Sequence, residues 1–158
     1  MWNGTSDTVT ICVWVSISRI WYDFDSHQCE RTLIPPEARS GIGVWFMKAV
    51  LISSGKVLAT DVAVATSLMA RMRGLMGRSS LPAGQGLLIQ PCKGIHTFFM
   101  RFSIDAVFLD RDNRVVAFFQ SLAPNRMTPV YGKAKSVLEL PAGTLGADPA
   151  DGEGIEFL

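Results

Sequence analysis

Short apolar segments separated by turn-forming residues fill the region after residue 46 and limit the folds open to this chain. Strands of five to eight residues bounded by Gly, Pro, Ser or Asn clusters are typical of all-β and mostly β domains. The expected fold class is therefore α+β, mostly β. The expected architecture is a compact, antiparallel and partly closed β-barrel-like domain with one or two short helices. The predicted strands span residues 48–52, 56–64, 86–90, 97–102, 104–109, 114–120, 136–140 and 154–158.

One helix is predicted after the second strand. Thr66 or Ser67 can cap its first turn, because a hydroxyl oxygen accepts a hydrogen bond from an otherwise unpaired amide. Gly74 falls inside the predicted helix, where glycine costs about 1 kcal/mol relative to alanine, so we expect another part of the chain to pack closely there. Gly77 is predicted to end the helix, since glycine accepts positive φ. The apolar stripe of this helix consists of Leu68, Met72, Leu75 and Met76.

The first 46 residues differ in composition from the rest of the chain. All four tryptophans lie there, and the alternation between Val9 and Ile17 could form an edge strand. Residues 1–46 are therefore interpreted either as an atypical, disordered N-terminal extension or as upstream sequence assigned to the protein although the true start is Met47. We favour the second explanation. Residues 47–158 are interpreted as a single β-rich domain. Mass spectrometry of the native protein is expected to find no peptide before Met47.

Charge and hydropathy exclude several classes of partner. The formal net charge is +1, and no run of basic residues is longer than two. Nucleic acid binding through phosphates needs a concentrated basic face, so no nucleic acid partner is predicted. The longest early apolar stretch, residues 10–20, is shorter than the roughly 20 residues of a membrane span. It also lacks the features of a signal peptide, which predicts a cytoplasmic protein.

Asp105 is the first candidate functional residue. It shares a strand face with Val107 and Leu109, and a carboxylate on an apolar face must be paired or hydrogen-bonded. A structural bond to an arginine or to backbone amides is the favoured interpretation, and a ligand-binding or catalytic role is the alternative. The candidate arginine partners are Arg73, Arg78 and Arg101.

Glu139 raises the same question. It shares a strand face with Val137, while its two neighbours point the other way. Two carboxylates across one cleft could act as acid and base, so Asp105 and Glu139 form a possible catalytic pair. A solvated strand face is the favoured interpretation of Glu139.

Cys92, His96 and Met100 are spaced four residues apart, and their side chains suit a soft metal. A copper or zinc site needs further ligands, and the only other histidine is His27 in the N-terminal extension. No metal or cofactor is therefore predicted. Cys92 with His96 as a nucleophile and base is a further alternative, and a hydrogen-bonding role for His96 at a pocket rim is favoured. With three cysteines and no paired spacing, we expect reduced thiols.

Five ordered blocks of this sequence resemble the domain of unknown function 192 family. The resemblance covers about residues 56–158, and it implies a compact β-barrel-like fold with a short helix, in a mainly bacterial and archaeal family without an established activity. Members of this family often follow signal peptides. The blocks are Arg73-Gly74-Leu75-Met76-Gly77-Arg78, Gly86-Leu87-Leu88, His96-Thr97-Phe98-Phe99-Met100-Arg101, residues 104–110 and residues 137–143.

Two departures from the family pattern concern possible ligand contacts. The stretch between Met100 and Asp105 is shorter than in the commoner form, and a Gly-Asp near the family's C-terminus appears here as Gly152-Glu153. By resemblance, the family's motif residues correspond to Gly74, Leu75, Met76, Arg78, Phe98, Met100, Arg101, Asp105, Leu138, Glu139 and Gly143.

Three functions follow as hypotheses. The leading one is a non-catalytic module that binds a small molecule or another protein, because polar residues lie among apolar strands and no catalytic motif is present. The alternative is a hydrolase-type enzyme that uses Asp105 with His96 or Glu139. A purely structural partner of another protein would show an exposed apolar patch. The candidate pocket residues are Arg73, Arg78, His96, Met100, Arg101, Asp105 and Glu139.

Overall fold

A computed structural model describes residues 47–146, 149 and 151–158. The alternation between Val9 and Ile17, and the proposed start at Met47, concern residues 1–46 and lie outside the described part. The described elements are β1 (Met47–Leu51), β2 (Val57–Ala65), α1 (Leu68–Arg73), β3 (Gln85–Ile89), β4 (Ile104–Leu109), β5 (Val115–Leu122), β6 (Ser136–Pro141) and β7 (Ile155–Phe157). Apart from 97–102, every predicted strand occurs within two residues of its expected bounds.

The strands form one sheet in the order β5-β4-β6-β3-β2-β1-β7. Every neighbouring pair is antiparallel except β2 and β3, which run parallel with Val62 opposite Gly86. The sheet is thus antiparallel as expected, apart from this one parallel pair, which the sequence did not predict. Parallel neighbours need a crossover connection, and residues 66–84, which contain α1, supply it.

The sheet curls until its two ends approach each other. The Val115 N–H donates to Glu153 O at 2.8 Å, and the Ile155 N–H donates to Asn113 O at 2.9 Å. Where β1 pairs with β7, Lys48 and Leu158 exchange two backbone hydrogen bonds of 2.8 and 2.9 Å. The result is a partly closed half-barrel, which confirms the expected α+β, mostly β class.

The two faces of the sheet carry separate apolar clusters. On one face, Val107, Leu109 and Leu138 pack with residues from both ends of the sheet, Val115 of β5 and Ile155 of β7. This face is called the inner face, because residues from opposite ends of the sheet can meet only inside the curl.

The opposite face is called the cap face. Its strand residues, such as Ala106, Phe108 and Val137, are covered by three segments, 66–84, 90–103 and 123–135, which we call the cap segments. Each cap segment adds buried residues to the same apolar cluster: Leu75 and Leu81 from the first, Cys92, Ile95 and Met100 from the second, and Ala134 from the third.

Helix α1 is shorter than the sequence predicts. The Ser67 hydroxyl accepts a hydrogen bond from the Ala70 amide at 3.2 Å, which confirms the expected cap. Gly74 has φ 48° and follows the last helical residue, Arg73, so it ends the helix instead of lying inside it. The expected close packing at Gly74 is wrong, because a Cβ there would meet its nearest neighbour, Ile89, at an ordinary 3.8 Å. Gly77 has the expected positive φ of 79°.

The predicted strand at residues 97–102 does not form. Phe99 has φ 63°, which is incompatible with an extended strand. The Met100 N–H donates to Thr97 O at 3.3 Å, as in a turn. The apolar residues of this segment belong to a loop that lies on the cap face, where Met100 is buried without strand pairing and Phe99 is exposed.

Candidate functional site

A cleft opens between the first two cap segments, directly above the centre of the sheet. It holds about 320 Å³ of empty space, including solvent at its mouth. Residues 71–76 form one wall, and Ile95, His96 and Met100 form the other. Ile89 and Glu139 complete the lining.

Strand register places Glu139 in this cleft. In β6, Glu139 lies opposite Ala106 of β4 and Leu87 of β3, and both of these residues belong to the cap-face cluster. Residues directly opposite each other in a sheet point to the same face, so Glu139 points towards the cap. It is 3% exposed, which makes it a buried carboxylate and not the solvated one that we expected.

Two buried threonines hold the second wall of the cleft. The Thr97 hydroxyl donates to Ala123 O at 2.7 Å and accepts from the Arg126 N–H at 3.0 Å. The Thr128 hydroxyl accepts from the Ile95 N–H at 3.0 Å. These bonds join the second cap segment to the third on both sides of His96, and they hold the backbone that carries it.

His96 offers a neutral imidazole to the cleft. Partial burial lowers the pKa of His96 below the ordinary 6.5, because a desolvated imidazole disfavours the charged form. Its Nδ1 accepts the Phe98 N–H at 3.4 Å, and its ring stacks on that of Phe98 at 5.1 Å. The proton of a neutral ring therefore lies on Nε2, which can donate to a ligand.

Arginines and methionines complete the cleft. Arg71 and Arg73 line it from the end of α1, and Arg71 Nη1 donates to Pro91 O at 3.0 Å, so α1 is connected to the second cap segment. The apolar lining includes three methionines, whose flexible side chains adapt to different ligands. They are Met72, Met76 and Met100.

Asp105 lies elsewhere and has its own set of partners. It is 0% exposed. Its Oδ1 accepts from the Ser121 N–H at 2.8 Å and the Gly143 N–H at 3.1 Å, and its Oδ2 accepts from the Leu145 N–H at 2.9 Å. Asp105 thus fixes the end of β5 and the turn after β6, as the amide form of the structural interpretation predicts.

The two buried carboxylates point to opposite faces of the sheet. Asp105 lies opposite Leu140, and Ala106 lies opposite Glu139, without a register shift between the pairs. Leu140 belongs to the inner-face cluster and Ala106 to the cap-face cluster. Asp105 and Glu139 therefore do not meet in one cleft, and the expected acid–base pair is not formed.

The structure brings together four of the seven predicted pocket residues. Arg73, His96, Met100 and Glu139 line the cleft. Arg78 and Arg101 lie in the cap segments but do not line it, and Asp105 belongs to the inner face.

Sequence reasoning missed Arg71 and Thr97. Arg71 lies two residues before Arg73 on a six-residue helix, so helical spacing alone gives no reason to place both side chains in one cleft. Thr97 is a single hydroxyl in an apolar run, and such a residue is a signal for a buried hydrogen bond.

Metal ligands do not cluster in the part of the chain that the structure describes. Within residues 47–146, 149 and 151–158, no group of three or more His, Cys, Asp or Glu side chains could hold a metal ion. Cys92 is buried, and its thiol donates to Gly94 O at 3.2 Å. In the same ranges, none of the helices has the length and apolar character that crossing a bilayer requires.

Comparison with known families gives a match over most of the described domain. The profile of DUF192, described as "Uncharacterized ACR", matches residues 49–151. The chain belongs to the DUF192 family. The resemblance stated from the sequence blocks is therefore confirmed, and it brings no established activity with it.

One curated protein is similar in sequence to this DUF192 chain. A "UPF0127 protein" of Thermococcus sibiricus (strain DSM 12597 / MM 739) is 34% identical over 98 residues, which are 59% of this chain and 62% of that protein. The chain thus matches less than two thirds of the length of this relative.

Two solved structures share the fold at low identity. A protein of Sinorhizobium meliloti 1021 described as a "putative transcription regulator" has a TM-score of 0.60 at 22% identity, over 74% of this chain and 97% of that one. A "protein of unknown function" of Novosphingobium aromaticivorans DSM 12444 has a TM-score of 0.62 at 20% identity, over 82% of this chain and 96% of that one.

Several residues that carry the DUF192 resemblance meet at the cleft. Gly74, Leu75, Met76, Met100 and Glu139 come from three separate sequence blocks, and all of them line it. The Asp105 and Gly143 positions instead form the hydrogen-bonded turn on the inner side of the sheet.

Proposed function

We propose that this domain is a binding module and that the cleft on its cap face is the ligand site. The observation that carries the proposal is the convergence of Arg73, His96, Met100 and Glu139 from three separate parts of the chain. Ligand sites typically combine a mostly apolar lining with a few convergent polar groups, and this cleft has that composition.

The size of the cleft limits the ligand. Its 320 Å³ includes open solvent, so the volume that the side chains enclose is well below the roughly 300–1,000 Å³ of pockets that bury a drug-sized ligand. One small group of a ligand, or a side chain of a partner protein, fits such a space once the flexible methionine side chains of the lining move. A dinucleotide does not.

The polar groups define what the ligand must offer. Neutral His96 can donate from Nε2, and the charged guanidinium groups of Arg71 and Arg73 favour an acceptor or an anion. The methionine walls favour an apolar portion beside it. A ligand with one acidic or acceptor group and a short apolar part satisfies both requirements.

The hydrolase alternative has less support. It requires Asp105 to act with His96 or Glu139, but Asp105 is not among the residues that line the cleft. Both of its oxygens accept backbone N–H groups on the other face of the sheet. Direct proton transfer needs contact or a single bridging water, which this arrangement does not provide for the Asp105–Glu139 pair.

A fragment screen with methyl-labelled methionine tests the proposal. Small carboxylic acids and neutral fragments are added to the full chain, and the methionine methyl resonances are followed by NMR. Met72, Met76 and Met100 line the cleft, whereas Met47 packs against the inner-face cluster. We expect fragments that shift the three cleft methionines and leave Met47 unchanged.

Matched variants make the screen specific. His96→Asn keeps an acceptor near the position of Nδ1 but removes the Nε2 donor, and Arg73→Gln removes one positive charge. Each should weaken fragment binding by about tenfold, the effect of one charged or buried hydrogen bond. Arg111→Gln, which changes an exposed arginine outside the cap segments, should leave binding unchanged. If no fragment shifts the cleft methionines, the cleft is not a small-molecule site.

A further inference from the structure

The three cap segments share one sign of charge. Residues 66–84, 90–103 and 123–135 contain three, two and three Lys or Arg residues, and none of these segments contains an Asp or a Glu. The eight cations are Arg71, Arg73, Arg78, Lys93, Arg101, Arg126, Lys133 and Lys135. All eight side chains are exposed or half-buried.

The fold assembles this basic surface from separate parts of the sequence. No basic run in the chain is longer than two residues, which is why charge patterning along the sequence predicts no concentrated basic face. Because all three segments pack over the cap face, their cations are collected on one side of the sheet. Among the residues that line the cleft, Glu139 is the one with a carboxylate. It lies at the floor of the cleft and is 3% exposed.

Exposed apolar side chains are concentrated on the same surface. Of the eight large hydrophobic residues that are exposed in the described part of the chain, five belong to the cap segments. They are Leu68, Met69, Phe99, Met127 and Val130, with exposures of 54%, 74%, 66%, 56% and 48%. Exposed apolar residues gathered on one surface typically mark an interaction site.

Phe99 is held outwards by its backbone. Its φ of 63° is unusual for an aromatic residue, and its N–H donates to Asn125 Oδ1 at 3.4 Å. Such strain persists only where the surrounding structure maintains it, and it is frequent at binding sites. The neighbouring Met100 is buried in the cleft wall, whereas Phe99 is exposed next to it in the chain. Met127 is also near, because it forms a β-bridge with His96.

We infer that the cap surface docks an acidic segment of a partner protein, with an apolar side chain of that segment in the cleft. This inference rests on the proposed function and specifies its partner. Carboxylates of the segment would contact the cap cations, and its apolar residues would contact Met69, Phe99 and Met127. Complementary charge of this kind accelerates association and suppresses wrong partners.

A protein segment fits this surface better than other polyanions do. Phosphate groups of a nucleic acid gain nothing from Leu68, Met69 or Val130, whereas apolar side chains of a peptide do. A lipid bilayer surface would contact the rim but leave a concave cleft unfilled. The combination of cations, aliphatic side chains and a cleft of side-chain size therefore favours an acidic peptide with an apolar anchor.

Peptide selection tests the inference. Random peptides of about 12 residues, long enough to cross such a surface, are displayed and selected on the full chain. We expect the selected peptides to carry net negative charge around at least one apolar residue, and their dissociation constants to rise with salt. Selected peptides without an excess of Asp and Glu would overturn the inference.

Charge reversal with a matched control identifies the surface. Arg101→Glu with Arg126→Glu reverses two exposed cap cations outside the cleft, while Lys48→Glu with Arg111→Glu gives the same net charge elsewhere. The first pair should weaken binding of a selected acidic peptide by at least about tenfold and the second by less than about threefold. Equal effects of the two pairs would contradict the inference.

Substitutions of exposed apolar residues distinguish binding of an acidic peptide from binding of other polyanions. Phe99→Asn, in which asparagine tolerates the positive φ, and Met69→Gln should each weaken peptide binding by about fivefold. Leu158→Gln, an exposed apolar residue outside the cap, should have no effect. Duplex DNA or phosphatidylserine vesicles that bind more tightly than any selected peptide, with no sensitivity to Phe99→Asn, would replace the peptide as the partner.

The outcomes distinguish this inference from the proposed function. If fragments shift the cleft methionines but the selected peptides are not acidic, the cleft is a small-molecule site and only the inference is wrong. If neither fragments nor peptides reach the cleft methionines, both are wrong. Thermal melts of each variant within a few degrees of the unmodified chain show that binding losses do not come from unfolding.

Discussion

Two buried carboxylates on neighbouring strands have opposite surroundings. Asp105 on β4 is enclosed on the inner face, where three backbone N–H groups donate to it. Glu139 on β6 lies on the cap face at the floor of an open cleft. Both are nearly inaccessible, at 0% and 3% exposure. The residue type and the burial are thus alike, and the face of the sheet decides which carboxylate can meet a ligand.

The comparison shows that an inward carboxylate is a functional candidate only once its partners are known. Backbone amides cannot leave without unfolding the turns that they belong to, so Asp105 serves the fold. Glu139 instead faces side chains of the cap segments and the space between them. The predictions below test this division between a carboxylate of the fold and a carboxylate of the cleft.

Replacing Asp105 should have the largest effect. Asp105→Ala leaves the amides of Ser121, Gly143 and Leu145 without their acceptor, and each buried unsatisfied group costs about 1–3 kcal/mol. We expect the free energy of unfolding to fall by at least about 3 kcal/mol in urea denaturation. The control is Asp61→Ala, an exposed aspartate on β2, which should change it by less than about 0.5 kcal/mol. A loss below about 1 kcal/mol at position 105 would show that these amide bonds do not stabilise the fold.

Thr97→Val should have the next largest effect, on the cleft wall that contains His96. Valine keeps the shape of threonine but removes the hydroxyl that joins Ala123 O and the Arg126 N–H. We expect a loss of about 2 kcal/mol, together with broadened NMR signals from His96. Thr60→Val removes an exposed hydroxyl that bonds to Gly84 O at 3.2 Å and should cost less than about 1 kcal/mol. Similar losses at the two positions would argue against a special role for Thr97.

Gly74→Ala should have a moderate effect on stability. Gly74 has φ 48°, where a side chain is strained even though space for a Cβ exists, so we expect a loss of about 1–2 kcal/mol. Gly132→Ala is the matched control, since a Cβ at Gly132 meets nothing within 4 Å and its φ is not positive. Differential scanning calorimetry of both variants measures the difference. An unchanged Tm for Gly74→Ala would contradict it.

Acid sensitivity from His96 should be the smallest effect. Burial lowers the pKa of His96 in the folded state below 6.5, so the unfolded chain takes up this proton first as the pH falls. The contribution to stability is fully present above pH 6.5 and is lost as the pH falls from there through the lowered pKa. Unfolding free energies of the unmodified chain and His96→Asn between about pH 8 and 5 should therefore converge at acidic pH. A constant difference would show that His96 does not titrate in this way.

Local patterns in the sequence were sufficient to locate most strands. Alternation and turn residues mark β4, the turn at 110–113 and β5, because these features depend on neighbouring residues. Asn113 has the expected left-handed conformation, with φ 56°. The predicted strand at 97–102 is wrong because an apolar run looks the same in a buried strand and in a loop packed on a core, and only the backbone of Phe99 distinguishes them.

The candidate site was predicted in part. The strand faces of Asp105 and Glu139 were each predicted correctly relative to their own neighbours, Val107 and Val137. Their relation to each other depends on the register between β4 and β6, and a shift of one residue would place both on the same face. That register is a long-range property that a single sequence does not encode locally. The basic cap surface was missed for the same reason, since its cations come from three separate segments.

The backbone bonds between Lys48 and Leu158 have a consequence for protein engineering. They place the first and last described strands side by side at one edge of the sheet, whereas the cleft lies above its centre. Leu158 could therefore be joined to Met47 by a short linker, and new ends could be opened in the exposed turn at residues 53–55. Such a circular permutant would keep the order of strands in space, and a reporter could be fused to its new ends in the turn at residues 53–55, which does not line the cleft.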